Sequence, residues 1–348
     1  MRILLVRPTA SGGLAAHVDH ELALLTAAGR DVAEAPVLIG ERPHTLADLR
    51  TVRTLRAVLT ASPAPVVLHA HGLRAGALSA LAARGRRGRL VVTLHNRTVG
   101  SRAGRAVGAA LLRILARGAD TVLAVSPDLA EAARRAGAAD VRHAVIPAPE
   151  PSGPEPPAAG PATVGGADGG AGAARLEILV IARLAPQKGL HDLLDAAALL
   201  RDRVPVRIRV AGDGPLHREL TARLHAEHLP VELLGRRDDV PALLADADLV
   251  VSAARWEGQP VSLQEALRAG RAIVATDAGG TRWVTGEAAS LVPVGDPAAL
   301  AAAITAMAAP EARRAAETAS RRRARDLPTA EDLLAQLDEV LVADARGW

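Results

Sequence analysis

Short apolar runs recur along this chain, and most are followed by a stretch in which the apolar residues have helical spacing. The runs fall at 3–6, 66–68, 90–94, 122–125 and 141–146, and again at 176–181, 206–211, 231–234, 249–251 and 272–275. Continuous apolar strands that alternate with helices are typical of parallel sheets covered on both faces. The pattern therefore predicts an α/β protein made of two doubly wound, Rossmann-like domains with largely parallel sheets.

The two series are separated by residues 148–175, which are rich in Pro, Gly and Ala and contain few large apolar side chains. Such a composition cannot pack a core, so it indicates a linker. We predict an N-terminal domain at 1–147, a C-terminal domain at 176–325 and a cleft between them. Helical spacing returns at 326–348, which is predicted to form a C-terminal helix that packs back across the domains.

Composition excludes several classes of function. The 348 residues include no Cys, Phe or Tyr and only three Trp. Disulfides and thiolate metal sites are therefore excluded, and a stacking platform for single-stranded nucleic acid is not expected. The N-terminal apolar run is too short for a signal peptide, and no run of about 18 apolar residues occurs. We expect a cytoplasmic protein without a nucleic-acid partner.

Charge is unevenly distributed along the sequence. Residues 1–150 hold 20 Arg against 11 Asp and Glu, a balance of +9, whereas the remainder holds 22 basic against 27 acidic residues, a balance of −5. A basic domain suits an anionic substrate or an anionic membrane surface. The alternative is compositional, because 41 of the 42 basic residues are Arg.

The one lysine of the chain, Lys188, lies in a loop after the first apolar run of the second series. A compact ammonium on a long stem suits a phosphate oxygen, and Arg183 offers a second, forked donor. A P-loop is excluded because Lys188 is followed by Gly189 rather than by Ser or Thr. The alternative is a surface lysine without a ligand.

A second loop, Trp256 to Pro260, lies between two apolar runs and contains Glu257, while Glu265 lies on the helix that follows. Ser262 is a candidate N-cap of that helix. A helix start offers free N–H groups to an anion, and ionised carboxylates accept hydrogen bonds from hydroxyls. The loop thus predicts a polyhydroxylated ligand that carries a phosphate, or else a capped surface helix with two solvated glutamates.

Three glycine turns follow other strands. Gly12-Gly13 would let the backbone approach a ligand closely, although a tight turn is the alternative. Gly212-Asp213-Gly214-Pro215 is not a dinucleotide fingerprint, because His217 occupies the third glycine position. The Gly235-Arg236-Arg237 turn could present backbone groups to a base edge, or be a simple connector.

Histidines close two of the N-terminal strands, His69 and His71 the second and His95 the third. Pairs at this spacing can bind a metal, but a metal hydrolase would need further ligands at later strand ends, and we find no supporting set. We therefore predict no metal site. His69 is expected to be a core or surface residue, with His71 and His95 facing the cleft.

Taken in order, these motifs resemble the retaining glycosyltransferases of family 4, which have the GT-B fold. The resemblance rests on Arg183 with Lys188-Gly189, Gly212 to Pro215, Glu257 with Glu265-Ala266, Asp277-x-Gly279-Gly280, Gly12-Gly13 and Thr93-Leu94-His95. It covers nearly the whole chain, with an insertion at 148–175.

The resemblance implies a role for each matching residue. His95, Arg183, Lys188 and Glu257 would be catalytic, with Arg183 and Lys188 on the donor diphosphate, Glu257 on the donor sugar and His95 near the reacting sugar. Glu265 would bind the ribose. The other donor-binding residues would be Gly12, Gly13, Gly214, Arg236, Gly258, Gln259, Pro260 and Val261.

The activity implied is metal-independent, retaining transfer of a hexosyl-type group from a nucleotide-diphosphate sugar to a hydroxyl acceptor, with no cofactor. The basic N-terminal half adds the hypothesis of an anionic or lipid-linked acceptor of the cell envelope, with peripheral contact at the inner membrane face. The alternatives are an epimerase on the same fold, a non-catalytic sugar-nucleotide module and, last, a metal hydrolase built on His69 and His71.

Overall fold

The computed structural model describes residues 1–9, 13–40, 44–85, 88–97, 101–148, 175–201 and 203–342. The chain divides into two compact units. The first comprises Met1–Pro147 and Pro328–Trp348, and the second Ala148–Leu327. Gly12 and nearly all of the predicted linker lie outside the described residues.

In the described part of the first unit, six parallel strands form one sheet in the order β2-β1-β3-β4-β5-β6. The strands are β1 Arg2–Val6, β2 Val32–Glu34, β3 Val66–His71, β4 Arg89–Leu94, β5 Thr121–Ala124 and β6 Val141–His143. The connecting helices are α1 Gly13–Ala27, α2 Thr45–Ala61, α3 Leu73–Ala83, α4 Arg102–Gly118 and α5 Pro127–Ala136.

The second unit repeats this architecture, with six described parallel strands in the order β12-β11-β10-β7-β8-β9. The strands are β7 Leu176–Ile181, β8 Val206–Ala211, β9 Val231–Gly235, β10 Leu249–Ser252, β11 Ala272–Thr276 and β12 Ser290–Val292. The helices are α6 Leu190–Leu200, α7 His217–Glu227, α8 Val240–Ala245, α9 Val261–Arg268, α10 Thr281–Thr285, α11 Pro297–Ala306 and α12 Pro310–Ala324.

Burial explains why the sheets are built from continuous apolar runs. Every residue of β3, β4, β5 and β11 is buried, as expected for strands whose two faces are both covered by helices. The prediction of two doubly wound parallel sheets is therefore confirmed. Close packing of the helices on the first sheet uses small residues: a Cβ at Gly76 would lie 2.6 Å from Val92 Cγ1.

The segment after Leu327 belongs to the first unit. It forms α13, Ala330–Leu337, which starts with a capping box of Thr329 and Asp332, and then a π-helical turn, Asp338–Val342. The side-chain amide of Gln336 donates to His143 O and accepts from Val145 N, both at 2.8 Å. The segment is thereby fixed beside β6.

None of the described helices is long and apolar enough to cross a membrane.

Candidate functional site

The strand order of the second unit reverses between β7 and β10, which are neighbours in the sheet although β8 and β9 come between them in the chain. In open α/β sheets, ligands bind outside the carboxyl ends of the strands at such a switch point. The loops that leave β7 and β10 there contain Lys188 and Glu257. The topology therefore brings together two motifs that are far apart in the sequence.

These two loops pack directly on each other. The N–H groups of Arg255 and Trp256 both point to Gln187 O, at 2.8 and 3.4 Å. Gly189 has φ +62°, and a Cβ there would lie 1.8 Å from Ala253 O. Only glycine allows this approach, so the backbone itself fixes the separation of the loops.

Lys188 and Glu257 form an ion pair across this contact, with Nζ 2.5 Å from Oε1. The Lys188 side chain is 22% exposed and that of Glu257 is 12% exposed. Lys188 ends a single 3₁₀ turn, Pro186–Lys188, which sets the direction of its side chain. The pair therefore combines a fixed cation and a fixed anion at the mouth of the sheet.

Arg183 lies at the start of the same loop and is exposed, and within the described chain its side chain has no hydrogen bond or ion pair. A guanidinium in this state is free to bind an anion.

The Gly212 to Gly214 turn packs beneath the loop: a Cβ at Gly212 would lie 2.0 Å from Ala182 O, and one at Gly214 would lie 2.5 Å from Leu184 O. These glycines allow loop packing.

The Glu257 loop is held from its other side by the turn after β11. Gly280 N donates to Glu257 O at 3.0 Å, and Gly279 has φ +57° with a virtual Cβ 2.1 Å from the same oxygen. The Glu257 backbone is thus fixed by one hydrogen bond and one close contact. Gly258 and Gln259 lie beside it, half-buried.

The N-cap prediction for Ser262 is wrong. Helix α9 begins at Val261, and its N-cap is Pro260, with φ −65° and ψ 107°. Proline supplies the entry angle but no side-chain oxygen, so no side chain caps the first turn. Leu263 N and Gln264 N donate to Pro260 O, whereas the N–H groups of Val261 and Ser262 have no acceptor within the described residues and stay available to an anion.

Glu265 lies half-buried on α9, and within the described residues its side chain forms no hydrogen bond. Burial raises the pKa of Glu265, with Arg268 opposing the shift. The preceding residue, Gln264, is fully buried, and its Oε1 accepts from Ala148 N at 3.0 Å. Gln264 thereby positions the helix, while the Glu265 oxygens carry no hydrogen bond within the described residues.

Arg236 is not part of this packed group. Its side chain is 88% exposed and lies 4.0 Å from Asp238. The turn around it is connected to the site through the backbone, because Gly212 N donates to Gly235 O at 2.8 Å. The structure thus places the turn beside the other loops but leaves the Arg236 side chain in solvent.

In the first unit, Gly13 begins α1, with open space at its Cβ position. His95 is half-buried, and its Nε2 lies 3.2 Å from Nδ1 of His71. The expectation that His71 is open to a cleft is wrong, since His71 and His69 are both fully buried. The physical reason is that α1 packs over the end of β3.

His69, His71 and His95 belong to a cluster with two residues of α1, which could not be identified from the sequence. His17 and Glu21 lie on α1, and His17 Nε2 is 2.8 Å from Glu21 Oε1. Their spacing of four residues, which places them on one helix face, was the available signal. Sequence alone does not connect them with a strand about 50 residues away, so their contact with His69 and His71 is visible only in the structure.

Charge in the cluster is governed by Glu21. Burial would raise the pKa of Glu21, but His71, His69 and His17 outweigh it and hold this pKa well below its usual range. Burial lowers the pKa of His69 to about 3. It also lowers the pKa of His95, with charge on His71 and His17 adding to the effect. Glu21 is therefore ionised, and His69 and His95 are neutral near pH 7.

Both halves of the chain match family models. Residues 4–149 match the glycosyl transferase 4-like domain, and residues 175–309 match the glycosyl transferases group 1.

Curated relatives match over part of their length. The putative colanic acid biosynthesis glycosyltransferase WcaL of Salmonella typhimurium is 34% identical over 140 residues, 36% of this chain and 34% of that protein. The N,N'-diacetylbacillosaminyl-diphospho-undecaprenol alpha-1,3-N-acetylgalactosaminyltransferase of Campylobacter jejuni is 31% identical over 103 residues, 30% of this chain and 27% of that protein. The matches thus span about a third of the Salmonella relative and about a quarter of the Campylobacter relative.

Solved structures share the fold over the whole chain. Anabaena HepE in complex with UDP has a TM-score of 0.72 at 19% identity, covering 98% of this chain and 99% of that one. Sucrose-phosphate synthase from Thermosynechococcus elongatus has a TM-score of 0.78 at 17% identity, with both chains fully covered. With matching models for both units and this fold, the chain belongs to family 4 of the group 1 glycosyltransferases, with the GT-B architecture.

Proposed function

We propose that this protein transfers a sugar from a nucleotide-diphosphate sugar to a hydroxyl acceptor, with retention of the anomeric configuration. The observation that carries the proposal is the Lys188–Glu257 pair at the switch point of the second sheet. A cation and an anion fixed side by side suit a donor that presents a diphosphate next to a polyhydroxylated ring. Membership of the family supports the same class of reaction.

The diphosphate is proposed to lie between Lys188, Arg183 and the start of α9. Lys188 offers three donors on a compact charge, and Arg183 offers a fork that can contact two phosphate oxygens. The uncapped N–H groups after Pro260 add a third source of positive potential. The solved structure of HepE is a complex of that protein with UDP, which supports a nucleotide ligand for this fold.

The hydroxyl groups of the donor are proposed to contact the two carboxylates. Glu257 would accept from the sugar, with Gly258, Gln259 and the Val261 backbone beside it. Glu265 would accept from the ribose, for which its free oxygens on a half-buried helix face are suited. The Gly235-Arg236 turn would flank the base, with Gly214 beneath the diphosphate.

Catalysis would consist of stabilising charge on the leaving group. The bond between the anomeric carbon and the diphosphate oxygen breaks, and its electron pair stays on the diphosphate. Lys188, Arg183 and the helix start stabilise that charge. The acceptor oxygen then bonds to the same face of the sugar, and its proton passes to the departing phosphate. This route needs neither a divalent ion nor a cofactor.

His95 is proposed to assist as a neutral hydrogen-bonding group near the reacting sugar. Its lowered pKa keeps it uncharged at neutral pH, so it would not repel the oxocarbenium-like centre.

The acceptor is proposed to be anionic or lipid-linked. Helix α4 exposes Arg102, Arg113 and Arg117 together with Val107, which is 51% exposed. Exposed basic side chains and an exposed apolar one on the same helix suit an anionic membrane surface. The name of the Campylobacter relative describes a lipid diphosphate acceptor for that protein. Binding to vesicles of phosphatidylglycerol that falls as salt rises would support this step, and equal binding to phosphatidylcholine vesicles would contradict it.

The donor is tested by a thermal-shift panel of UDP-, GDP- and ADP-sugars on the wild type and the Lys188→Met variant. Each shift is compared with ligand-free protein in the same buffer, with and without EDTA. We expect one nucleotide to raise the melting temperature of the wild type equally in both buffers, and much less in the variant. No shift with any nucleotide sugar would overturn the proposal.

The reaction is tested by incubating the stabilising donor with polyprenyl-diphosphate sugars and analysing the products. A new α-linkage from an α-linked donor supports retaining transfer, and a β-linkage contradicts it. Conversion of the donor to an epimer, or binding without turnover, would identify an epimerase or a non-catalytic module.

A further inference from the structure

Three buried polar atoms in the first unit face one another without forming hydrogen bonds. They are Glu21 Oε2, His69 Nδ1 and His71 Nε2, and each is inaccessible to solvent and lacks a hydrogen-bond partner within the described residues. The three residues are each at most 1% exposed. A buried polar atom without a hydrogen-bond partner is unfavourable, so three in one place call for an explanation.

The separations of these atoms are those of ligands around one metal ion. Glu21 Oε2 lies 3.3 Å from His69 Nδ1 and 3.2 Å from His71 Nε2, and all three atoms lie within 4.8 Å of one another. Ligands at about 2.0–2.1 Å from a tetrahedral Zn²⁺ lie roughly 3.3 Å apart. The two histidines alternate along β3, which places both rings on one face of the strand.

The outer nitrogens and oxygen of the same groups are occupied. His69 Nε2 is 2.8 Å from Thr93 Oγ1, and His71 Nδ1 is 3.2 Å from His95 Nε2. Glu21 Oε1 is 2.8 Å from His17 Nε2. Metal-binding histidines and carboxylates are normally oriented in this way, by hydrogen bonds to their second heteroatom. The inner atoms are thereby aimed at a common point.

From this convergence we propose that Glu21, His69 and His71 bind a divalent transition-metal ion of the Zn²⁺ class. Two imidazoles and a carboxylate suit Zn²⁺, Co²⁺ and Ni²⁺ rather than Mg²⁺ or Ca²⁺, which prefer oxygen ligands. A water or a fourth residue would complete the coordination.

The site is structural and stands apart from glycosyl transfer. It joins α1 to β3, and its three ligands are not among the residues proposed to contact the donor. A metal on His71 Nε2 leaves the proton on Nδ1, so His71 donates to His95 Nε2 and fixes the His95 tautomer. The ion would therefore stabilise the first unit and orient one side chain beyond it.

The test uses tag-free protein that has been treated with a chelator and dialysed. Cobalt is titrated in while the visible absorption is recorded, and bound zinc is measured by mass spectrometry after gel filtration. We expect about one ion per chain, a low-symmetry Co²⁺ spectrum that Zn²⁺ abolishes, and a higher melting temperature with Zn²⁺.

Variants locate the site. Glu21→Gln and His71→Asn should each weaken Co²⁺ binding by about 100-fold or more, because each removes a ligand. His20→Asn is the matched control: it changes a histidine on the same helix outside the three ligands and should bind Co²⁺ as the wild type does.

Since a ligand variant could fail to fold, X-ray absorption at the zinc edge of the wild type provides a second measurement, with imidazole scattering expected. Absence of stoichiometric binding by the wild type, or binding that persists unchanged in both folded ligand variants, would overturn the proposal. A hydrogen-bonded cluster without metal would then remain. Donor binding is measured separately, so the two proposals can fail independently.

Discussion

Lys188 and Glu257 are 69 residues apart in the sequence, yet their charged groups are in contact in the second unit. Each depends on the other, because both side chains are mostly buried. A mostly buried carboxylate without a counter-charge is unfavourable, and so is a mostly buried ammonium. The pair therefore holds two potential ligand-binding groups in place before any ligand arrives.

Replacing Lys188 should affect both stability and binding. Lys188→Met keeps the stem but removes the charge, which leaves Glu257 without its partner and should lower the free energy of unfolding by about 1–3 kcal/mol. Affinity for the nucleotide diphosphate should fall by about 10- to 100-fold, as for loss of a charge-assisted hydrogen bond. Urea denaturation and calorimetry measure the two effects.

The control for that variant is Arg207→Met, which removes a more exposed cation paired with Glu232 on β9. We expect little change in either quantity. Equal losses of affinity in the two variants would show that general positive charge, not Lys188, attracts the ligand.

The single lysine also permits a chemical test. An amine-reactive reagent can modify only Lys188 and the N-terminal amine, since the other 41 basic residues are Arg. A bound nucleotide diphosphate should slow modification of Lys188 and leave the N-terminus unaffected. Peptide mass spectrometry follows the two sites in one sample, and equal rates with and without ligand would place the diphosphate elsewhere.

Gly279 and Gly295 form a matched pair for testing the loop packing. Both have positive φ, +57° and +73°, but a Cβ at Gly279 would meet Glu257 O at 2.1 Å, whereas at Gly295 it would meet nothing within 4 Å. Gly295→Ala should cost about 1–2 kcal/mol for backbone strain alone. Gly279→Ala should cost more and also weaken donor binding, because the Glu257 backbone must move. If Gly279→Ala and Gly295→Ala changed stability and donor binding to a similar extent, the proposed loop contact would be contradicted.

The raised pKa of Glu265 predicts that the stability of the folded protein depends on pH. Its pKa is raised in the folded protein by burial, so the folded state takes up its proton at a higher pH than the unfolded chain does. Stability from this group is thus fully present below the unfolded pKa of 4.5 and is lost as pH rises through the folded pKa. Relative to wild type, Glu265→Gln should gain stability over that interval, as urea denaturation at several pH values would show.

Donor affinity should change with pH in the opposite direction to stability. Only the ionised Glu265 can accept hydrogen bonds from both ribose hydroxyls, so affinity should fall as pH drops through its raised pKa. Glu265→Gln should bind more weakly at pH 7 and lose this dependence. A wild-type affinity with the same pH profile as the variant would remove Glu265 from the ribose site.

The fold could be predicted where strands are buried on both faces. A continuous apolar run such as Leu90 to Leu94 is compatible with few structures other than a strand buried on both faces. The short edge strands β2 and β12 were missed, because Val32-Ala33-Glu34 and Ser290-Leu291-Val292 carry too little apolar surface to form a pattern. They are strands because a neighbouring strand offers them hydrogen bonds.

The site was less accessible to sequence reasoning. Lys188 was noticeable as the only lysine, and Glu257 by its loop, but their contact depends on β7 and β10 being neighbours. The prediction of Ser262 as the N-cap of α9 was wrong because residue preference alone could not show that Pro260 occupies this position. The cluster around Glu21 needed the packing of α1 over β3, which no local spacing encodes.

The return of residues 328–342 to the first unit has a consequence for synthesis on the ribosome. Leu337, Val340 and Leu341 are fully buried there, so part of that core is missing until they have been translated. The second unit is contiguous and has all its residues before that point. Although it begins later in the chain, it is the unit that can complete its core first, while the first unit is still unfinished and in need of protection from aggregation.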